Sequence, residues 1–402
     1  MDTKKDLKLL FEDKSLINAL QNVYNIFLSN IPFLFEDFSS FLLLPKYYLG
    51  NSRNEIVVEE GLVDIRSDEF FVFPVFPAAM KFFGKRFVQS LKEIYEKENI
   101  KILHFYPRVG VSKEELEEVL DLDYDISVSL GTSLVNIEVA LQRKNVRILS
   151  LDIAHGASLP GLRAIEDLAN IYGIKNGVVW GNFGSLEGVI FALFVLTKNN
   201  FENFYLKLGI GSGSACTTRT QTGSGIPNIA LITLANFLLY REQDISLSSF
   251  ISNKILKDEW FSLLDLREKI KNILSFWGLD LISLGKKVKF ILDGGFKNNG
   301  DLAKALSLSD FVMSGKLFIS KEMEGDKYYG MASSLAKALE GKEGYVEGEV
   351  YKADKKESLK TVVLQMKHAI QSSLSYSNAK NLTDFRKNKT LIVNHTKEGF
   401  QK

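Results

Sequence analysis

Eight short apolar runs, most followed by a polar or glycine-bearing turn, leave this chain few folds to choose from. They are residues 71–74, 100–103, 126–129, 146–152, 178–181, 205–209, 288–292 and 311–313. After most of them the apolar spacing changes to a helical period, as in 112–120, 159–171 and 301–306. Strands alternating with helices imply parallel β-structure covered by helices. Eight such runs suit a closed (βα)8 TIM barrel, although an open doubly wound sheet would show the same alternation.

Two stretches fall outside the rhythm. Residues 1–30 read as a helical extension ahead of a single barrel domain spanning 31–402. A connection over about residues 241–285, before the seventh strand, is longer than an ordinary βα link and contains a helical stretch at 258–277.

Catalytic groups in such barrels lie on the loops after the carboxyl ends of the strands. Those ends carry Asp152-Ile153-Ala154-His155-Gly156, then Gly181-Asn182-Phe183, then a glycine loop leading to Cys216-Thr217-Thr218-Arg219. Asp293-Gly294-Gly295 and Ser314-Gly315-Lys316 follow the last two runs. Polar residues and glycines therefore collect on one rim.

Composition excludes several alternatives. One cysteine rules out an internal disulfide and a cysteine-based zinc site, and a formal charge of +1 leaves no footprint for nucleic acid or an anionic membrane. The charged start reads as an amphipathic helix rather than a signal peptide, and the apolar runs at 188–197 and 227–240 are too short to span a bilayer. The expectation is a cytoplasmic protein without a membrane partner.

The loop after the sixth run is the strongest chemical signal. Gly209, Gly211 and Gly213 let the backbone approach a ligand closely, though such a pattern alone is more often a tight turn. Here it runs into the one cysteine. A lone cysteine is ordinarily a small buried hydrophobe, but Cys216 has polar neighbours and Arg219 nearby, the setting of a nucleophile. Thr218 is placed to relay a proton to water or a leaving amine. Asp293 at a strand end can accept two ribose hydroxyls, and the amides at Gly294, Gly295 and Gly315 can hold a phosphate. Either motif alone would be a capped glycine turn; together they favour a nucleotide. His155 lies on a strand-end loop beside Asp152, while His104, His368 and His395 fit ordinary core or surface positions. No pair has metal-ligand spacing, so no catalytic metal is expected.

These residues carry a resemblance. Gly209-Ile-Gly-Ser-Gly-Ser-Ala-Cys-Thr-Thr-Arg-Thr-Gln-Thr-Gly-Ser-Gly-Ile-Pro227 resembles the signature of IMP dehydrogenases and GMP reductases. Phe35-Glu-Asp-Phe38 with Leu44-Pro45, Asp152–Gly156, Gly181-Asn182, Asp293–Gly295, Tyr328-Tyr-Gly-Met331 and Val346-Glu-Gly348 agree in order. The resemblance covers about residues 33–395 and implies a TIM barrel, usually a homotetramer. It implies that Cys216 attacks the purine C2 of a mononucleotide and that hydride passes between C2 and a nicotinamide cofactor. Ser214, Tyr328, Gly294, Gly295, Gly315 and Lys316 would meet the phosphate and Asp293 the ribose. Met80, Gly330 and Met331 would lie along the nucleotide, with Asp152, His155 and Asn182 on the cofactor side. Carbonyls of Gly211, Gly213 and Cys216 match a potassium site.

Within the family, only residues 105–125 separate the second and third runs, so the CBS modules usual in the dehydrogenases are absent. The flap-like segment at about 332–350 has no arginine to activate water. The Thr218–Gly223 stretch and the tail at 374–382 look more like GMP reductase, which converts GMP to IMP and ammonia with NADPH. NAD stays open as the cofactor, because no dinucleotide glycine fingerprint opens a βαβ unit. Some positions depart from the family. Its glutamate that assists ammonia release is matched by Ser334, with Glu343 or Glu347 as substitutes. An early Ser-Ala-Pro-Met-Asp is Pro77-Ala78-Ala79-Met80-Lys81, and a phosphate-side serine is Lys316. The alternatives are an IMP dehydrogenase without CBS modules, a divergent paralogue acting on a modified purine nucleotide, or a nucleotide-binding protein that no longer turns over.

Overall fold

A computed structural model describes residues 3–30, 38, 41–241, 257–339, 341 and 343–393. Phe35–Asp37, residues 242–256 of the long connection and His395, all singled out above, lie outside that set. Elements are labelled by their place in the barrel. The strands are β1 (Val75–Pro77), β2 (His104–Tyr106), β3 (Ile126–Leu130), β4 (Val146–Asp152), β5 (Val178–Phe183), β6 (Phe204–Leu208), β7 (Val288–Asp293) and β8 (Phe311–Ser314). β2 to β8 pair in parallel in sequence order, β8 then pairs with β1, and β1 packs beside β2 to complete a (βα)8 TIM barrel.

The helices after the strands are α1 (Lys85–Glu98), α2 (Lys113–Leu120), α3 (Ile137–Gln142), α4 (Leu159–Asn170), α5 (Leu186–Lys198), α6 (Asn228–Leu238), α7 (Asn299–Leu306) and α8 (Leu359–Tyr376). Their starts are written locally. Ser112 and Glu115 form a capping box on α2, and Ser158, Ser185, Asn298 and Ser358 each accept an N–H from the first turn of α4, α5, α7 and α8.

The alternating pleat splits the core into two layers. Leu206, Leu208 and Phe290 face the helices, whereas Phe76, Phe105, Ile148, Val179, Tyr205, Ile291, Phe311 and Met313 fill the bore. Phe76 packs 5.0 Å from Phe311 and 5.2 Å from Phe105.

The first two strands differ from the sequence expectation. Residues 71–72 belong to Glu69–Val72, which pairs antiparallel with Glu60–Val63 and plugs the floor of the bore with Leu62, Phe70 and Val72. β1 begins only at Val75, and β2 at His104 rather than at Ile100. The physical reason is that Glu69–Val72 alternates exposed and buried positions as a half-covered strand does, while Val75–Pro77 is buried throughout.

The two helices of the N-terminal extension, Thr3–Glu12 and Lys14–Asn30, pack on α5 and on the helix Lys257–Phe276, which lies between α6 and β7. Among the described residues, no helix is long and apolar enough to cross a membrane.

Candidate active site

The loop after β6 presents the thiol. Cys216 is half-buried, and its amide donates to Gly213 O at 3.0 Å. The Arg219 side chain braces the loop by donating to Ile210 O at 3.1 Å and to Ile226 O at 2.6 Å. Cys216 Sγ lies 3.2 Å from Thr218 Oγ1, and that hydroxyl donates to Glu347 Oε2 at 2.7 Å.

Glu347 reaches this place through backbone pairing. After the short helix Ser334–Leu339 the chain returns over the cysteine loop: Thr217 N donates to Glu347 O at 2.9 Å, and Glu347 N to Ala332 O at 3.1 Å. Gly348 bridges both Cys216 and Ser333. Ser334 itself is exposed, as is Glu343. Of the two substitute carboxylates named above, Glu347 is the one at the thiol.

A second cluster gathers the phosphate candidates. Gly294 and Gly295 have φ of 77° and 85°, a backbone that L side chains rarely adopt. The Ser212 hydroxyl donates to Asp293 O, and Asn228 Nδ2 donates to Asp293 O and Gly294 O, each at 3.0 Å. Opposite stands Tyr328, on a strand (Lys327–Tyr329) paired antiparallel with Val350–Lys352. Its ring lies 5.0 Å from that of Tyr351, whose hydroxyl is 2.9 Å from Ser214 Oγ. Burial pushes the Tyr328 phenol well above its ordinary range, so it stays a protonated donor. Gly315 is pressed between the Tyr328 hydroxyl and Met80 Sδ; Lys316, just beyond, is exposed. Gly330 packs on Ala215 O, and Met331 is half-buried beside it.

The third cluster lies at the top of the bore. On β6, Tyr205 and Lys207 point inward because they alternate with outward Leu206 and Leu208. The register sets Lys207 beside Gly181, where a Cβ would come within 2.6 Å of Lys207 Cβ, so the missing side chain makes room for the lysine stem. The Lys207 ammonium contacts Asp152 Oδ1 and stands 3.6 Å from Asp293 Oδ2. Asn182 Nδ2 donates to Asp293 Oδ2 at 2.8 Å and to Gly209 O at 2.7 Å. Arg108 Nε donates to Asp152 O at 3.0 Å, and His155 is exposed on the neighbouring loop.

Burial would raise both carboxyls. Close pairing with Lys207 overcomes it at Asp152, held below the usual carboxylate range, but not at Asp293, which stays above it. Burial also disfavours the lysine charge, yet the two acids outweigh it and raise Lys207.

Sequence reasoning missed Lys207, Arg108, Asn228, Ser212 and Tyr351. The signal for Lys207 was a lone lysine inside the apolar run of β6; the others depend on contacts between distant loops.

A (βα)8 barrel whose carboxyl-end rim carries a free thiol backed by a hydroxyl–carboxylate pair is the class that fold and site define. The comparisons narrow it: the chain belongs to the IMP dehydrogenase / GMP reductase family, whose domain model matches residues 121–247 and 281–402. The chain is 24% identical to the GMP reductase of Helicobacter pylori (strain G27) over 375 residues, 90% of this chain and 97% of that one. It is likewise 24% identical to the GMP reductase of Oceanobacillus iheyensis and 25% to that of Staphylococcus saprophyticus, each over 377 residues, 90% of this chain and 96% of the relative. The family is one of oxidoreductases acting on purine mononucleotides.

Proposed function

We propose that this protein reductively deaminates GMP to IMP and ammonia with NADPH, through a covalent intermediate on Cys216. The observation that carries the reading is the run Cys216 Sγ, Thr218 Oγ1, Glu347 Oε2 at 3.2 and 2.7 Å. It supplies a carboxylate for amine departure although Ser334 occupies the family position.

The Cys216 sulfur adds its electron pair to the purine C2, and the ring nitrogen beside it takes up a proton. Thr218, polarised by Glu347, passes a proton to the 2-amino group, and the C2–N bond breaks to release ammonia. When bound, a nicotinamide cofactor would supply hydride to C2; breaking of the C2–S bond returns its electron pair to the Cys216 sulfur, and loss of the proton from the ring nitrogen leaves IMP.

Asp293 holds the ribose with the oxygen that Asn182 does not occupy. Ser214, Tyr328, Tyr351 and the amides at Gly294, Gly295 and Gly315 surround the phosphate, with Lys316 at its outer edge, while Met80, Gly330 and Met331 border the nucleotide. The residues fit a nicotinamide end on the other side: Asp152 keeps one oxygen without a described hydrogen bond, and His155 and Asn182 flank it. The Gly211 and Cys216 carbonyls accept no hydrogen bond among the described residues, which suits a monovalent cation such as potassium, with Gly213 contributing a third carbonyl. A homotetramer belongs to the same proposal.

The test is NADPH oxidation by the pure protein with GMP, scoring ammonia, beside IMP with NAD. Ammonia from GMP establishes the reductase. NADH from IMP overturns it for a dehydrogenase, and silence in both with nucleotide bound points to a different purine nucleotide or a protein without turnover.

A further inference from the structure

Lys207 is a charged group buried in the bore that the chemistry above does not use. Only 3% of its surface is exposed, and it faces two acids with one charge. Asp152 holds the ammonium in contact, while Asp293 stands 3.6 Å away and leans on Asn182 at 2.8 Å. Between the half-buried Asp152 and Asp293, a single buried cation cannot satisfy both carboxylates at full strength, because closer contact with one weakens its hold on the other. The arrangement is therefore a shared counter-charge with two positions.

We propose that Lys207 is a positioning residue through which an occupied cofactor side tightens the nucleotide side. The inference rests on the reading of Asp152 as a cofactor contact and Asp293 as a ribose contact. A cofactor hydroxyl that donates to Asp152 satisfies part of that carboxylate's charge and loosens its hold on the ammonium. Lys207 then closes on Asp293 Oδ2, fixing the carboxylate with its other oxygen toward the ribose. The coupling is reciprocal, so nucleotide tightens cofactor by the same factor. Gly181 belongs to the device, since its missing side chain gives the lysine stem its path.

The experiment is calorimetric titration of GMP into the full-length protein, with and without saturating NADP+, a pair that cannot exchange hydride. The expected result is a GMP Kd lowered about fivefold by NADP+ in the wild type, the low end of ordinary coupling. In Lys207→Met the two values converge; in Lys207→Arg, which keeps the charge, part of the coupling returns. Should Lys207→Met fail to fold, Asp152→Asn carries the test: Lys207 is then committed to Asp293, and GMP binds tightly without NADP+ and gains nothing from it. A wild type that binds both ligands without mutual effect overturns the inference alone, as does coupling that survives in Lys207→Met. Failure of every purine mononucleotide to bind overturns the underlying functional reading with it.

Discussion

The Thr218 hydroxyl donates to Glu347 Oε2 at 2.7 Å, joining the residue two positions after the lone cysteine to a carboxylate from the returning flap segment. The contact depends on backbone register, since Thr217 N is bonded to Glu347 O and a slip by one residue would turn the carboxylate away. The expected outcome for Glu347→Gln is a kcat lowered by about 10²–10³, the usual size of a lost proton relay, with KM for GMP changed little. Steady-state ammonia release reads this directly. An unchanged kcat would assign proton delivery to another group.

Cys216→Ala separates chemistry from binding. The thiol is half-buried on a loop braced by Arg219, and the phosphate cradle is built from other residues, so the variant should fold and bind nucleotide while losing turnover. Thermal unfolding with excess GMP checks the binding half. A ligand at a hundred times its Kd stabilises by about 2.7 kcal/mol, and the wild type and the variant should show the same shift. Residual turnover near the wild-type rate would sink the covalent route.

Gly315→Ala tests the phosphate cradle by crowding. A Cβ there would lie 2.4 Å from the Tyr328 hydroxyl and 2.8 Å from Met80 Sδ. Tyr328 has little room to yield, since its ring is 5.2 Å from Phe82 on one side and 5.0 Å from Tyr351 on the other. Overpacking of this kind costs about 1–3 kcal/mol of stability. GMP affinity should fall about tenfold, near 1.4 kcal/mol, with kcat at saturation retained. Isothermal titration beside steady-state kinetics separates the two effects, and an unaltered affinity would remove Tyr328 from the phosphate site.

How much of this was legible in the chain depended on whether the information was local. Gly209 to Pro227 is contiguous, so the thiol loop, its glycines and Thr218 could be read directly. Glu347 could only be named beside Glu343, because the choice is made by the pairing of residues 332 and 347, which sequence spacing does not specify. Lys207 was passed over because both faces of a parallel barrel strand are buried, and an apolar run then does not reveal which parity enters the bore. The floor hairpin and β1 were merged for a related reason: residues 70–80 are nearly all apolar, with no turn to mark where pairing changes from antiparallel to parallel.

His104 gives a prediction independent of the active site. It lies on β2, fully buried against Phe87 and Tyr106, with Nε2 2.9 Å from Phe83 O and no partner at Nδ1 among the described residues. Burial lowers its pKa to about 3, despite the bond to Phe83 O. The unfolded chain takes up this proton near pH 6.5 and the native state only near 3, so native stability falls as pH drops through that window. The slope from this one group is about 1.4 kcal/mol per pH unit. Replacing it in His104→Phe removes the titration and the bond to Phe83 O, at a net cost of about 1 kcal/mol. The variant should therefore be less stable than the wild type at pH 7.5, and the deficit should shrink or reverse by pH 5. Urea unfolding at the two values decides it, and parallel losses in both proteins would mean that His104 takes its proton without unfolding.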